Sequence, residues 1–137
     1  MDFEKIHVIR IKPDQEITQE ILKYCEKKKI TSGVILSLLG SLKEVNLGIL
    51  KELPGKFIAK KIKGPLEIGC GTGTIATKNG KIILHIHLVV SDENQAVAGH
   101  LAGGKIFSTA EVVIVQIEEQ LERYQDDFTG LNELKNK

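Results

Sequence analysis

Apolar residues come in short alternating or continuous runs along most of this 137-residue chain, and one stretch repeats them at helical spacing. Ile6, Val8, Ile9 and Ile11 predict a first strand. Ile17, Ile21, Leu22 and Cys25 then recur on one helical face, which predicts a helix over about residues 14–29. Asp14 is the expected cap, Glu16 suits the positive end of the helix dipole, and Lys27, Lys28 and Lys29 suit the negative end. Gly33 to Leu39 reads either as a buried strand or as a short helix leading into one, because a short apolar run does not decide. Gly40-Ser41 punctuates, Val45 to Leu50 alternates, Pro54-Gly55 turns, Phe57 to Ile62 predicts another strand, and Gly64-Pro65 breaks again. Leu66 to Thr77 and Lys81 to Val90 flank Asn79-Gly80, the strongest short hairpin signal. Glu111 to Ile117 is the last strand, followed by a short polar tail with some helical character. Many strands and one long helix indicate an α+β fold with a largely antiparallel sheet. No linker or repeat interrupts the pattern, so residues 1–137 are read as a single domain.

Two histidines stand out within these runs. His85 and His87 are one residue apart in an apolar strand and therefore point to the same face. If Glu93-Asn94 is the centre of a tight turn, Asp92 faces Gln95 and His87 falls directly opposite His100. Opposed residues in an antiparallel pair lie roughly 5 Å apart at Cβ, so three imidazoles would meet on one patch. A slip of one residue would send His100 to the other face. Neutral imidazole is a common zinc ligand, and a three-histidine set leaves one coordination position open. A histidine on a buried face can equally be a hydrogen-bonded core residue, and zinc, nickel and iron all suit imidazole. Glu67 and Glu111 sit in apolar strands, where desolvation raises a carboxylate's pKa, and they are the candidate acid–base groups; a paired structural charge is the alternative for both. Cys70 is a candidate soft ligand or a packed thiol.

Gly69-x-Gly71-x-Gly73 has the look of a phosphate loop, but a hairpin follows it instead of the helix N-terminus such a loop requires. Close packing of a strand is the better explanation.

Net charge is +1, which supplies no global drive toward nucleic acid. Lysine clusters at 27–29 and at Lys51, Lys56, Lys60, Lys61 and Lys63, and a mostly acidic tail, read as solvated faces. Two isolated cysteines fit reduced thiols in the cytosol. The opening Met1-Asp2-Phe3-Glu4 does not look like a signal peptide, and no run is long and apolar enough to span a bilayer. The expectation is a cytoplasmic protein with no membrane partner.

The order of short motifs resembles the PPC ("plants and prokaryotes conserved") domain family. The residues that carry the likeness are Arg10-Ile11-Lys12-Pro13, Leu39-Gly40-Ser41-Leu42, Gly64-Pro65-Leu66-Glu67-Ile68, Gly73-Thr74-Ile75-Ala76, His85-Ile86-His87-Leu88, Gly99-His100-Leu101, Gly104 to Phe107 and Thr109-Ala110-Glu111-Val112-Val113. Ala98 departs from the family's usual glycine. The resemblance implies an α+β fold with a mixed, mostly antiparallel sheet, a homotrimer, and a zinc site at His85, His87 and His100. It also implies a regulatory, DNA-associated or protein-interaction module. Arg10 and Arg123 are the sole arginines, so the arginine-rich minor-groove segment of the plant members is absent from this sequence. The fold is further similar to that of acetolactate decarboxylases. That similarity implies a second reading, a small zinc-dependent lyase or hydrolase built on the same histidines. DNA binding through the lysine clusters is the third.

Overall fold

The computed structural model describes residues 3–136. Met1 and Asp2, half of the segment read above as lacking a signal peptide, lie outside the described residues. The elements run β1 (Phe3–Ile11), α1 (Ile17–Lys28), β2 (Gly33–Glu52), β3 (Lys56–Lys78), β4 (Lys81–Ser91), β5 (Ala96–Ile117), β6 (Arg123–Gln125) and β7 (Asn132–Leu134). The main sheet has the order β1-β5-β2-β3-β4, and β4 also pairs with β5. β2, β3, β4 and β5 therefore close into a ring, with β1 joined to the far half of β5. Every ladder is antiparallel; among the described residues, parallel pairing is confined to the isolated Thr77–Glu122 bridge. The expected mostly antiparallel sheet with one helix is observed.

The ring encloses the core. Ile35, Leu38, Leu42 and Leu47 of β2, Ile75 of β3, Ile86 and Leu88 of β4, and Ile106 of β5 are all essentially inaccessible to solvent. α1 adds Ile17, Ile21 and Cys25, the same stripe that its spacing predicts. Each such aliphatic side chain contributes roughly 1.5–3 kcal/mol on burial. Burial also pushes the Cys25 thiol up to about 11, which makes it a packed apolar group and a poor nucleophile. His7 is a core histidine whose polar needs are met: Nδ1 lies 2.8 Å from the Tyr24 hydroxyl and Nε2 lies 3.1 Å from Gln116 Oε1. No helix among the described residues is long and apolar enough to cross a membrane.

Three expectations are corrected by the fold. Glu16, not Asp14, caps α1: its carboxylate accepts from the Gln19 amide (2.7 Å) and also from the Gly104 amide (2.8 Å), which ties the helix to β5. Asp14 instead adopts positive φ and pairs with Lys43. Secondly, Gly40-Ser41 and Gly64-Pro65 bend strands without ending them, so β2 and β3 are continuous over 20 and 23 residues. Gly40 has a φ of +143°, and the β2–β3 register shifts between Leu42 and Glu44, opposite Gly64-Pro65. Such irregularities are where a strand tolerates glycine and proline. Thirdly, the polar tail forms the β6–β7 hairpin, turned at Gly130 with a φ of +70°; Asp126 Oδ1 accepts from the Thr129 amide there.

Candidate metal centre

The buried pair Ile86 and Leu88 fixes which way β4 faces. The intervening positions, His85 and His87, must then point outward. The Ser91–Ala96 connection sets the register of the next strand. The Asp92 amide donates to Gln95 O (3.0 Å), and Asp92 Oδ1 accepts from the amides of Asn94 and Gln95. His87 consequently pairs directly with His100, as the turn arithmetic predicts. The ring centroids are 5.0 Å (85–87), 5.3 Å (85–100) and 5.8 Å (87–100) apart.

One ligand atom from each ring lies within 4.8 Å of the other two. A tetrahedral zinc ion with nitrogen ligands needs neighbouring nitrogens roughly 3.4 Å apart. His85 Nε2 and His87 Nε2 already stand at 3.1 Å, and a ring nitrogen of His100 lies within 4.8 Å of its two partners. The donor set fits a borderline-soft divalent cation with an open position.

The glycine strand lies directly behind the triad. A Cβ on Gly73 would stand 2.3 Å from the His85 carbonyl oxygen, and one on Gly71 would stand 2.7 Å from Leu88 Cδ2. These glycines let β3 approach β4 closely, and the Asn79-Gly80 hairpin, both residues at positive φ, follows in place of a helix.

Partial burial, together with the charges of Arg123, His100 and His87, pulls His85 down to about 4; burial and His87 lower His100 as well. Both rings are neutral at pH 7 and free to donate lone pairs. An unfolded chain takes up these protons near the ordinary histidine value of about 6.5, while the folded chain resists uptake until about pH 4 for His85. The metal-free protein is therefore expected to lose stability steadily as pH falls from about 6.5 to 4, beyond what its carboxylates cause. Urea midpoints measured across that window on the wild type and on His85→Asn check this. Equal slopes for the two would contradict it.

Glu67 and Glu111 do not join the histidines. Leu66 and Ile68, and likewise Ala110 and Val112, face inward, so the glutamate between each pair faces solvent. Glu67 lines a separate cavity with Ser41 and Ser108, and Glu111 sits across from Arg10. Both carboxylates are therefore exposed and away from the histidines. Cys70 is exposed, opposite Val89, and outside the triad. Sequence reasoning missed Arg123 and Glu133. Both come from the β6–β7 hairpin and line, with His85 and His100, a cavity of about 310 Å³ beside the triad. No local spacing marks them, because their relation to the histidines exists only once the tail folds back.

The sequence profile of the Plants and Prokaryotes Conserved (PCC) domain, the PPC domain named above, matches residues 1–118. The chain belongs to the PCC domain family. A metal-containing protein from Archaeoglobus fulgidus superposes on this PCC chain with a TM-score of 0.92 at 24% identity, covering 98% of this chain and 96% of its own. A provisionally assigned DNA-binding protein from Bacteroides thetaiotaomicron gives 0.90 at 26%, covering 98% and 94%. A Staphylococcus aureus protein similar to alpha-acetolactate decarboxylase aligns more loosely, at 0.56 and 10% identity over 89% of this chain and 56% of its own, which bears on the fold alone. Among curated proteins, the bifunctional protein GlmU of Synechococcus sp. (strain JA-2-3B'a(2-13)) is 30% identical over 133 residues. This PCC chain spans 20% of the length of the curated relatives it matches.

Proposed function

We propose that this PCC-domain protein holds one divalent cation, zinc the best fit, on His85, His87 and His100, and works as a metal-bound interaction module. The convergence of three imidazoles carries this reading. A metal-containing relative of the same fold supports it. When bound, the ion would supply a Lewis-acid centre with an exchangeable position. The three rings would hold it, and the buried Ile86 and Leu88 keep two of them aimed at it. The direct test is elemental analysis after chelation and reloading with zinc. About one ion per chain is expected, and substoichiometric binding at micromolar zinc would overturn the reading.

Self-association belongs to the same proposal. Ile6 and Val8 of β1 and Leu36 of β2 are exposed by 63%, 70% and 60% on the two strands that flank the C-terminal half of β5, and Leu39 is exposed by 48%. An apolar patch of this kind favours an interface. A homotrimer is expected by light scattering, with Val8→Asp shifting the mass toward the monomer. A monomeric wild type at tens of micromolar would exclude it.

DNA association is a second reading, favoured by the Bacteroides relative. The near-neutral charge makes any such binding salt-sensitive and weak. Duplex titrations at low and near-physiological salt decide it, and absence of binding at low salt removes it. The cavity beside the triad favours a third reading, a small zinc-dependent lyase or hydrolase.

A further inference from the structure

Arg123 is a buried cation with no ion-pair contact among the described residues; Glu133 acts on it only through space. Its side chain is 6% exposed. Nη1 donates to the Asn132 carbonyl (2.9 Å) and Nη2 to Thr74 Oγ1 (2.8 Å), both neutral acceptors. Nε is sealed from solvent and has no hydrogen-bond partner. No ion pair among the described residues includes Arg123. Buried arginines are rare unless paired, and one left unpaired is costly. The cost is borne here at one particular place, the wall of the cavity that His85 and His100 also line.

The lining mixes charged and apolar groups: Arg123 and the two histidines on one hand, Phe57 and Leu131 on the other, with the Phe57 ring 6.4 Å from that of His100. Glu133, which accepts from Thr129 Oγ1 (3.4 Å), supplies the one carboxylate in the lining. A dication on the triad plus Arg123 outweighs that single negative charge. The volume of about 310 Å³ lies at the small-ligand end of ordinary binding sites.

We propose that this cavity binds a small organic carboxylate, with its oxyanion between Arg123 and the histidine-held cation and its apolar portion against Phe57 and Leu131. The inference rests on the metal reading above. The carboxylate supplies a contacting counter-charge for the guanidinium. It also occupies the coordination position the protein leaves open. Glu133 acts against it by repulsion and sets how strongly an anion is held.

Calorimetry on the zinc-loaded protein, with isobutyrate as probe, tests the proposal. Isobutyramide, which has the same shape without the charge, and inorganic phosphate, which has the charge without the apolar part, are the controls. Isobutyrate is expected to bind at least tenfold more tightly than either. The Arg123 Nε–H resonance in a nitrogen-15 spectrum should shift on isobutyrate addition and stay fixed with isobutyramide. Arg123→Gln should keep its zinc and lose most isobutyrate affinity. Because that change strips Thr74 and Asn132 of a donor and can compromise folding, Glu133→Gln is the second variant; it removes the repulsion and should bind isobutyrate several-fold more tightly. No isobutyrate binding to protein that carries its zinc, equal affinity for the neutral amide, or an unchanged affinity in Glu133→Gln would overturn the proposal. Failure to load zinc at all would strike the metal reading instead, and the parallel zinc measurement tells the two apart.

Discussion

His87→Ala is expected to weaken zinc binding by at least roughly 100-fold, since removal of a direct ligand costs more than loss of the groups that merely orient ligands. The ring is exposed and no core contact depends on it, so the variant should fold. Zinc at about 1,000 times its dissociation constant adds about 4 kcal/mol to a protein that binds it only when folded. For a chain of this size, that corresponds to a melting temperature roughly 10 °C higher. Wild type with zinc should therefore melt well above wild type in chelator, and His87→Ala should melt alike in both. His7→Ala is the opposite control: it breaks the contacts to Tyr24 and Gln116 and should lower stability while leaving zinc content intact. A zinc-independent melting curve for the wild type, or full zinc content in His87→Ala, would end the argument for this centre.

Gly40→Ala should produce the largest loss of stability of any single methyl addition at these glycines. The added Cβ would lie 2.0 Å from the Thr109 carbonyl oxygen and 2.8 Å from Ala110 Cα, both backbone, at a φ of +143°. Overpacking and backbone strain each cost about 1–3 kcal/mol, so the sum takes a large share of a typical stability of about 5–15 kcal/mol. Gly80→Ala separates the two effects. Its φ is +78° and nothing stands within 4 Å of the added carbon, so conformation alone acts there and the loss should stay near 1 kcal/mol. Urea denaturation of the two variants checks the order. Comparable midpoints would mean that β2 and β5 do not approach as closely at Gly40 as described.

The histidine cluster was legible before any coordinates because it depends on local geometry. The parity of His85 and His87 follows from strand alternation, and the position of His100 follows from a short turn whose Asp92 supplies its own hydrogen bonds. The helix stripe of Ile17, Ile21 and Cys25 was equally readable. Its cap was not, because Glu16 wins that role through a contact with Gly104 that is 88 residues distant in the chain. The unbroken course of β2 and β3 was hidden by glycines and a proline, which can end an isolated strand but only bend these: β2 is paired on both sides at Gly40, and β3 stays paired with β2 before and after Gly64-Pro65. The apolar runs around Glu67 and Glu111 left two readings open, because such a run says that a residue has buried neighbours, not that it is buried itself. Arg123 and Glu133 were invisible for the complementary reason: their importance comes wholly from what the β6–β7 hairpin lies against.

Among the described residues, β1 pairs with one strand, the C-terminal half of β5, with Ile6 beside Val115 and Ile11 beside Ala110. During synthesis, β1 must therefore wait until residues 110–117 have followed before it can complete its hydrogen bonds. Its inward Ile9 and Ile11, which pack on the core once β1 is paired, stay uncovered during that interval. Most pairings here join distant parts of the polypeptide, which places folding in the slow, millisecond-to-second class. Nascent chains halted before residue 110 should thus be protease-sensitive and dependent on chaperones, with resistance appearing abruptly once the last third has left the exit tunnel.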